Sequence, residues 1–219
     1  MRNFRELINI LLPPRCYICN AGILTDKFSN ICDNCLNDLK KMVFPHPREI
    51  SYERYRIKYF STYTGKTKRL IHLLKFQKHR DLGPVFKEIF SVILNGIVKE
   101  NDPDIISYIP AHYLKKYLIR GFDQNEFLLK YLLEEKHLDL IKRIIRRKRY
   151  TRPLYNLSLQ ERRAQLEGAF YACRYCIMDK RILLFDDIYT SGTTIGEALK
   201  TISSHQPEQV DIISLCHGY

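Results

Sequence analysis

Long apolar runs are missing from this chain. In 219 residues no uninterrupted hydrophobic stretch approaches the roughly 20 residues that cross a bilayer, so no membrane span is expected. Phe4–Leu12 has some apolar character, but Arg5, Glu6 and Asn9 interrupt it and Pro13-Pro14 stop it. It has neither a clean hydrophobic region nor a small-residue cleavage site, so no secretory signal is read and a cytosolic protein is expected. Low-complexity tracts and internal repeats are also lacking, which argues against a disordered chain or a solenoid. Acidic residues are in short supply: 24 Asp and Glu stand against 36 Lys and Arg, for a net charge of +12. That excess points to polyanionic partners, nucleic acid or an anionic surface. What remains is ordinary for a globular chain, 45% hydrophobic and 27% charged, enough for one full domain plus a small module.

Cysteine is the residue present in unusual arrangement. Cys16-Tyr-Ile-Cys19 and Cys32-Asp-Asn-Cys35 are two CxxC pairs twelve residues apart. Two residues between cysteines let both sulfurs converge from one tight turn, and two such turns make the tetrahedral thiolate cage that Zn²⁺ prefers. The same four-sulfur set also suits iron, and free buried thiols are the alternative without a metal. Nothing around Cys16, Cys19, Cys32 and Cys35 supplies an acid, a base or an open position, so the site is read as structural. Residues 1–45 are taken as this module, Pro45-His46-Pro47 as a linker, and 50–219 as a separate domain. Cys173 and Cys176 make a third CxxC inside Ala169–Ile177, which is read as a strand. No second pair lies near it, so these two and Cys216 are read as core or surface thiols.

Further along, Leu70–Phe76 predicts a short helix and Val85–Ile97 a second. Asp104–Pro110 predicts a buried strand, Asn125–Leu138 a helix and Arg143–Arg149 a strand edge entering a loop. Arg181–Phe185 predicts a strand, Thr193–Ser204 a helix and Gln209–Cys216 a last strand. Strands alternating with helices predict an α/β fold with a parallel sheet flanked by helices.

The most informative segment runs from Arg181 to Thr194. A buried strand ends in Asp186-Asp187, followed by Thr190-Ser191-Gly192-Thr193-Thr194 and then a helix. Burying unpaired carboxylates is costly, so two acids at a strand end call for a partner: vicinal hydroxyls or a divalent cation. The turn after them offers hydroxyls, a glycine for close approach and the amides of a helix N-terminus, an anion site. A diol site beside a phosphate cradle reads as a ribose phosphate. No Walker lysine follows the turn, which excludes a P-loop. Two basic runs complete the picture. Arg54–Arg80 contains no acid, and Lys142–Arg163 contains only Glu161. Tyr150 and Tyr155 interleave with the second run, where Arg146, Arg147, Lys148, Arg149 and Arg152 are the candidate nucleic-acid contacts: cations for phosphates, rings for unpaired bases. The same loop is alternatively a hood over the ribose-phosphate site.

The Asp186–Thr194 segment resembles the 5-phosphoribosyl 1-pyrophosphate (PRPP) signature of type I phosphoribosyltransferases. Leu70–Phe76 with its Lys-Phe pair, Tyr108-Ile-Pro110-Ala-His112, Arg120-Gly-Phe-Asp-Gln124, Thr151-Arg-Pro153, Leu157-Ser158, Arg162 and Gly168-Ala-Phe170 follow in order. With the CxxC pairs, the set is similar to the ComF family of competence-associated proteins over essentially the whole chain. It departs from the family's pattern at Asn20, Asp123, Leu154, Gln165 and Ser191. The resemblance implies a type I phosphoribosyltransferase-like domain behind a zinc finger. It implies PRPP bound with Mg²⁺ by Asp186, Asp187, Thr190, Ser191, Gly192, Thr193 and Thr194. A second loop, Pro110, Ala111 and His112, with Arg120, would hold the pyrophosphate. The implied role is cytosolic handling of single-stranded DNA in natural transformation, with a competence helicase as a partner. The alternative is an active phosphoribosyltransferase with an unknown acceptor. The sequence does not decide whether catalysis occurs.

Overall fold

The structure is a computed structural model that describes residues 13–23, 27–53, 55–111, 121–148 and 158–218. After a loop carrying the first CxxC pair, the order is α1 (Asp33–Lys41), β1 (Val43–Tyr52), β2 (Tyr55–Thr62), α2 (Gly65–Gln77), α3 (Gly83–Asn101) and β3 (Ile105–Tyr108). There follow α4 (Gln124–Leu132), β4 (Ile145–Arg147), α5 (Leu159–Leu166), β5 (Phe170–Ala172), α6 (Arg174–Ile177), β6 (Arg181–Tyr189), α7 (Thr193–Ser203) and β7 (Gln209–His217).

Five strands form one sheet in the order β1-β2-β7-β6-β3, parallel except for β1. Strand β6 lies between two parallel neighbours with a core packed on each face of the sheet, so Ile182, Leu183, Leu184 and Phe185 are all buried. Its side chains alternate between two cores. Leu183 and Phe185 join the helices α2, α3 and α4, whereas Ile182 and Leu184 join α7 and the small β4–β5 ribbon. This parallel α/β layout agrees with the phosphoribosyltransferase-like arrangement that the resemblance implies. Among the described residues no helix is long and apolar enough to cross a membrane.

Several expectations need correction. Pro45-His46-Pro47 is not a linker but part of β1, the antiparallel edge strand. Proline is tolerated there because an edge strand has one unpaired side, and the register shifts between Val43 and Arg48, where both prolines sit. The cysteine-rich segment is packed on the sheet's helices: Cys16, Cys32, Cys35, Leu36 and Leu39 share one core with α2 and α3. The Asn125–Leu138 helix ends at Leu132 and resumes as a short 3₁₀ turn, Glu135–Leu140. Asn95 of α3 ends it, donating to the Leu132 carbonyl at 2.8 Å and accepting from the Glu134 amide at 2.9 Å. Ala169–Ile177 is not one strand: β5 stops at Ala172, and Cys173–Cys176 close a turn. Finally, β6 does not stop at Phe185. Pairing with β7 continues to Tyr189 opposite His217, so both aspartates lie within the strand.

Candidate functional site

Two clusters concentrate acidic groups. The first is built by turns. Cys16 accepts the Asn20 amide at its carbonyl (2.8 Å) and donates its own amide to Ala21 (2.9 Å), with Asn20 in the left-handed region. This loop and the start of α1 bring the sulfurs of Cys16, Cys19, Cys32 and Cys35 within 4.8 Å of one another. A tetrahedral Zn²⁺ with bonds of about 2.3 Å sets its sulfurs about 3.8 Å apart, and Cys19 and Cys32 stand at 3.6 Å. Burial and hydrogen bonds from neighbouring thiols push Cys32 and Cys35 up. Burial also opposes ionisation of Cys16, but the amides of Cys19, Cys32 and Ile18 outweigh it and bring that thiol down to about 7. Thiols this close share protons, and a dication replaces those protons. The four cysteines are therefore placed to hold a metal ion such as zinc.

The second cluster is built by a strand. Asp186 and Asp187 lie at the C-terminal edge of β6, with 9% and 7% of their surface exposed. Asp186 Oδ1 accepts from Asn125 Nδ2 at 2.9 Å and from the Asp187 amide at 3.0 Å. Asp187 Oδ2 accepts from Gln124 Nε2 and from Lys75 Nζ at 3.3 Å. Burial, then the charge of Asp187, raises the Asp186 carboxyl well above the ordinary carboxylate range. Asn125 Oδ1 is buried and, among the described residues, has no donor. Buried acids and an orphaned acceptor fit a ligand that brings a cation or hydroxyl donors, so Mg²⁺ suits the residues present.

The turn beyond is open to an anion. Gly192 caps α7 in the left-handed conformation, with φ of 72°, and among the described residues no side-chain cap hydrogen bond is made there. A Cβ at Gly192 would lie 2.4 Å from the Tyr52 ring and one at Gly196 2.0 Å from the Tyr52 hydroxyl, so Tyr52 packs against both glycines, and the left-handed φ at Gly192 favours glycine there as well. Ser191 and Thr193 hydroxyls meet at 2.9 Å, while Thr190 is exposed and Thr194 partly buried. Pro110 and Ala111 lie beside the acids: the Ile109 amide donates to Phe185 (2.9 Å), and Asn125 Nδ2 reaches both the Ile109 carbonyl and Asp186. Asp123, which caps α4, also accepts the Ala111 amide at 3.0 Å. His112 and Arg120 lie outside the described residues, as do Arg149 and Arg152.

The basic loop divides by strand alternation. Arg146 is exposed opposite Tyr171, and Lys148 Nζ lies 6.0 Å from that ring. Arg147 points the other way, 5.2 Å from the Phe170 ring, and its Nε has no partner among the described residues. Burial brings its guanidinium down to about 10, and the charge of Asp186 opposes that shift. Arg147 therefore lies on the inner side of the ribbon, within reach of the charge of Asp186. Sequence reasoning did not assign Lys75, Gln124, Asn125 or Tyr52 to the site. Lys75 and Gln124 stood inside quoted motifs, but only packing shows which carboxylate they reach.

Helix α2 touches both clusters. Lys66, near its start, pairs with Asp38 and hydrogen-bonds Cys35, Arg69 Nε donates to the Tyr17 carbonyl at 3.3 Å, and Lys75 near its end reaches Asp187. Just beyond, Tyr17 meets His79 in a tilted ring contact with centres 4.2 Å apart and donates to Asp81 at 3.0 Å.

No family model matches this chain. DNA utilization protein YhgH of Escherichia coli O157:H7 is 23% identical over 206 residues, spanning 92% of this chain and 89% of its own. Competence protein F of Haemophilus influenzae is 21% identical over 210 residues, 94% of this chain and 85% of its own. Among solved structures, the allosteric regulatory enzyme of purine biosynthesis aligns with 61% of this chain and 24% of its own, at 16% identity and a TM-score of 0.35. The chain is thus related along nearly its whole length to proteins named for competence and DNA utilization, as its resemblance led us to expect.

Proposed function

We propose that this protein binds PRPP, or a related ribose phosphate, with Mg²⁺ at Asp186–Thr194, and handles single-stranded DNA in the cytosol during natural competence. The observation that carries the pocket is the pair of buried carboxylates near a parallel strand's C-terminal end, followed within a few residues by a helix N-terminus whose cap residue, Gly192, has no side chain. Ligands of open α/β sheets bind at that end. The diol and metal would be taken by Asp186 and Asp187, and the 5-phosphate by the amides and hydroxyls of Ser191–Thr194. Arg147, Pro110, Ala111, His112 and Arg120 would face the pyrophosphate. Mg²⁺ would supply charge neutralisation between the acids and the phosphates. Single-stranded DNA would follow the outer face of the β4–β5 ribbon, with Arg146 and Lys148 beside Tyr171, and Arg149 and Arg152 beyond them. The relatives' names support a role in competence, and a translocating helicase is the proposed protein partner.

The test is calorimetry of PRPP with Mg²⁺. Asp187→Asn removes a charged acceptor, a loss of about 1.5–3 kcal/mol or roughly 10- to 150-fold in affinity. Unchanged affinity in Asp186→Asn/Asp187→Asn would sink the pocket assignment. Pyrophosphate released on mixing PRPP, Mg²⁺ and single-stranded DNA would instead establish phosphoribosyl transfer, the alternative reading.

A further inference from the structure

The third CxxC belongs to neither cluster. Cys173 and Cys176 are free, exposed thiols, in contrast to the buried Cys216. They lie on the turn between β5 and β6. The Cys176 amide donates to the Cys173 carbonyl at 3.2 Å, folding the chain so that both cysteines sit on one tight turn. The backbone carrying them is anchored. The Cys173 amide donates to Ile144 at the base of the β4–β5 ribbon (3.2 Å), the Met178 amide donates to Arg174 (3.1 Å), and Ile177 is wholly buried. The outer side is open: Tyr175, between the two cysteines, is 90% exposed. Among the described residues the metal-competent cluster is Cys16, Cys19, Cys32 and Cys35, and neither Cys173 nor Cys176 belongs to it. Two thiols three positions apart on an anchored turn, reachable by solvent and, among the described residues, in no cluster of three donors, suit a disulfide couple better than a metal site.

We propose that Cys173 and Cys176 are a redox-active dithiol that closes to a disulfide by exchange with small-molecule disulfides. The two thiols are not equivalent. Hydrogen bonds from the Cys176 thiol and amide hold the Cys173 thiol below its usual range, while the hydrogen bond to Cys173 raises Cys176. Cys173 is thus the attacking thiolate. Its sulfur bonds to one sulfur of the small disulfide, and the other leaves as a thiolate that takes up a proton. Cys176 then gives up its proton and attacks Cys173 Sγ, displacing the second small thiolate. The protein loses two electrons, the small disulfide gains them, and two small thiols are formed. The new bond lies just beyond β5, next to the ribbon that carries Arg146, Arg147 and Lys148.

The experiment uses the full zinc-loaded chain in buffers of graded oxidised and reduced glutathione. Free thiols are trapped by alkylation, and the peptide bearing both cysteines is read by mass spectrometry. The expected result is an internal Cys173–Cys176 disulfide whose fraction rises with the oxidised share and reverses on reduction, while bound zinc stays constant. Cys176→Ser, an exposed substitution, should leave Cys173 trapped as a stable glutathione adduct, and Cys173→Ser should react more slowly. Both thiols remaining alkylatable in fully oxidised glutathione would overturn the proposal. So would zinc loss in step with oxidation, because the reacting sulfurs would then be the metal ligands.

Discussion

The four thiols and the two aspartates are both clusters of acidic groups drawn close together, but they are held in opposite ways. The thiol cluster rests on turns in a segment with little core of its own, so the metal must supply much of what fixes the loop. The acid pair rests on a strand locked between two parallel neighbours, so there the fold fixes the geometry and the ligand only offsets the charge. At the thiols a metal would make much of the structure; at the acids the structure stands without one. The two are not insulated, because α2 reaches the thiols through Lys66 and the acids through Lys75.

Metal removal should separate the two most. Chelation or Cys35→Ser is expected to unravel the cysteine segment and, since that segment shares the α2–α3 core, to lower Tm by more than about 10 °C, the equivalent of roughly 4 kcal/mol. Paired melts and calorimetry check both halves. PRPP affinity should fall as well, because Lys75 loses part of its support; unaltered affinity alongside a lowered Tm would show that the sites are independent.

Equivalent truncations sharpen the contrast. Leu184→Ala, at the sheet centre, and Leu36→Ala, beside the thiols, each remove a buried side chain, and such changes cost about 2–5 kcal/mol. Leu184→Ala should fall near the top of that range. Leu36→Ala should fall near the bottom while the metal holds the segment and cost more after chelation, as denaturant titrations would register.

A smaller effect follows from pH. The folded Asp186 carboxyl is raised, so its favourable contribution is complete below the unfolded value near 3.9 and is lost as pH rises toward about 8. In the absence of ligand, stability should therefore decline across that window, and Asp186→Asn should flatten the decline. A pH series of melts decides this, and identical profiles for the two proteins would exclude Asp186 as the source.

The smallest expected change lies in salt dependence. Arg146→Ala with Lys148→Ala should reduce the log–log salt slope for single-stranded DNA by about 0.7 for each phosphate that these cations no longer neutralise. Arg147→Ala should leave that slope alone and weaken PRPP binding. Equal slopes for the wild type and the double variant would move the DNA surface to the Arg54–Arg80 run.

Much of this was legible from local pattern. CxxC spacing is a property of single turns, so the thiol cluster could be read directly. The Ile182–Phe185 run followed by Asp-Asp and a Gly-Thr turn is one continuous strand–loop–helix segment, and it was legible for the same reason. Elements whose identity depends on neighbours were not. The prolines of Pro45-His46-Pro47 read as a linker because nothing local shows that β2 pairs alongside them. The end of α4 is set by Asn95, about forty residues away in the chain. Ala169–Ile177 was apolar enough for a strand, yet only its first residues find a partner in β4.

What the sequence by itself determined is the chemistry available: four thiols at metal spacing, two acids before a turn of hydroxyls and a glycine, and an excess of positive charge. These are fixed by residue type and by separations of a few positions, over which backbone geometry is nearly obligatory. What only the tertiary structure decided is which groups face each other. It brought Lys75, Gln124 and Asn125 onto the acids, turned Arg147 inward and Arg146 outward, and left Cys173 and Cys176 in solvent while burying Cys216. Such pairings join residues tens of positions apart, and they are set by packing two cores on one twisted sheet, which no short stretch of sequence encodes.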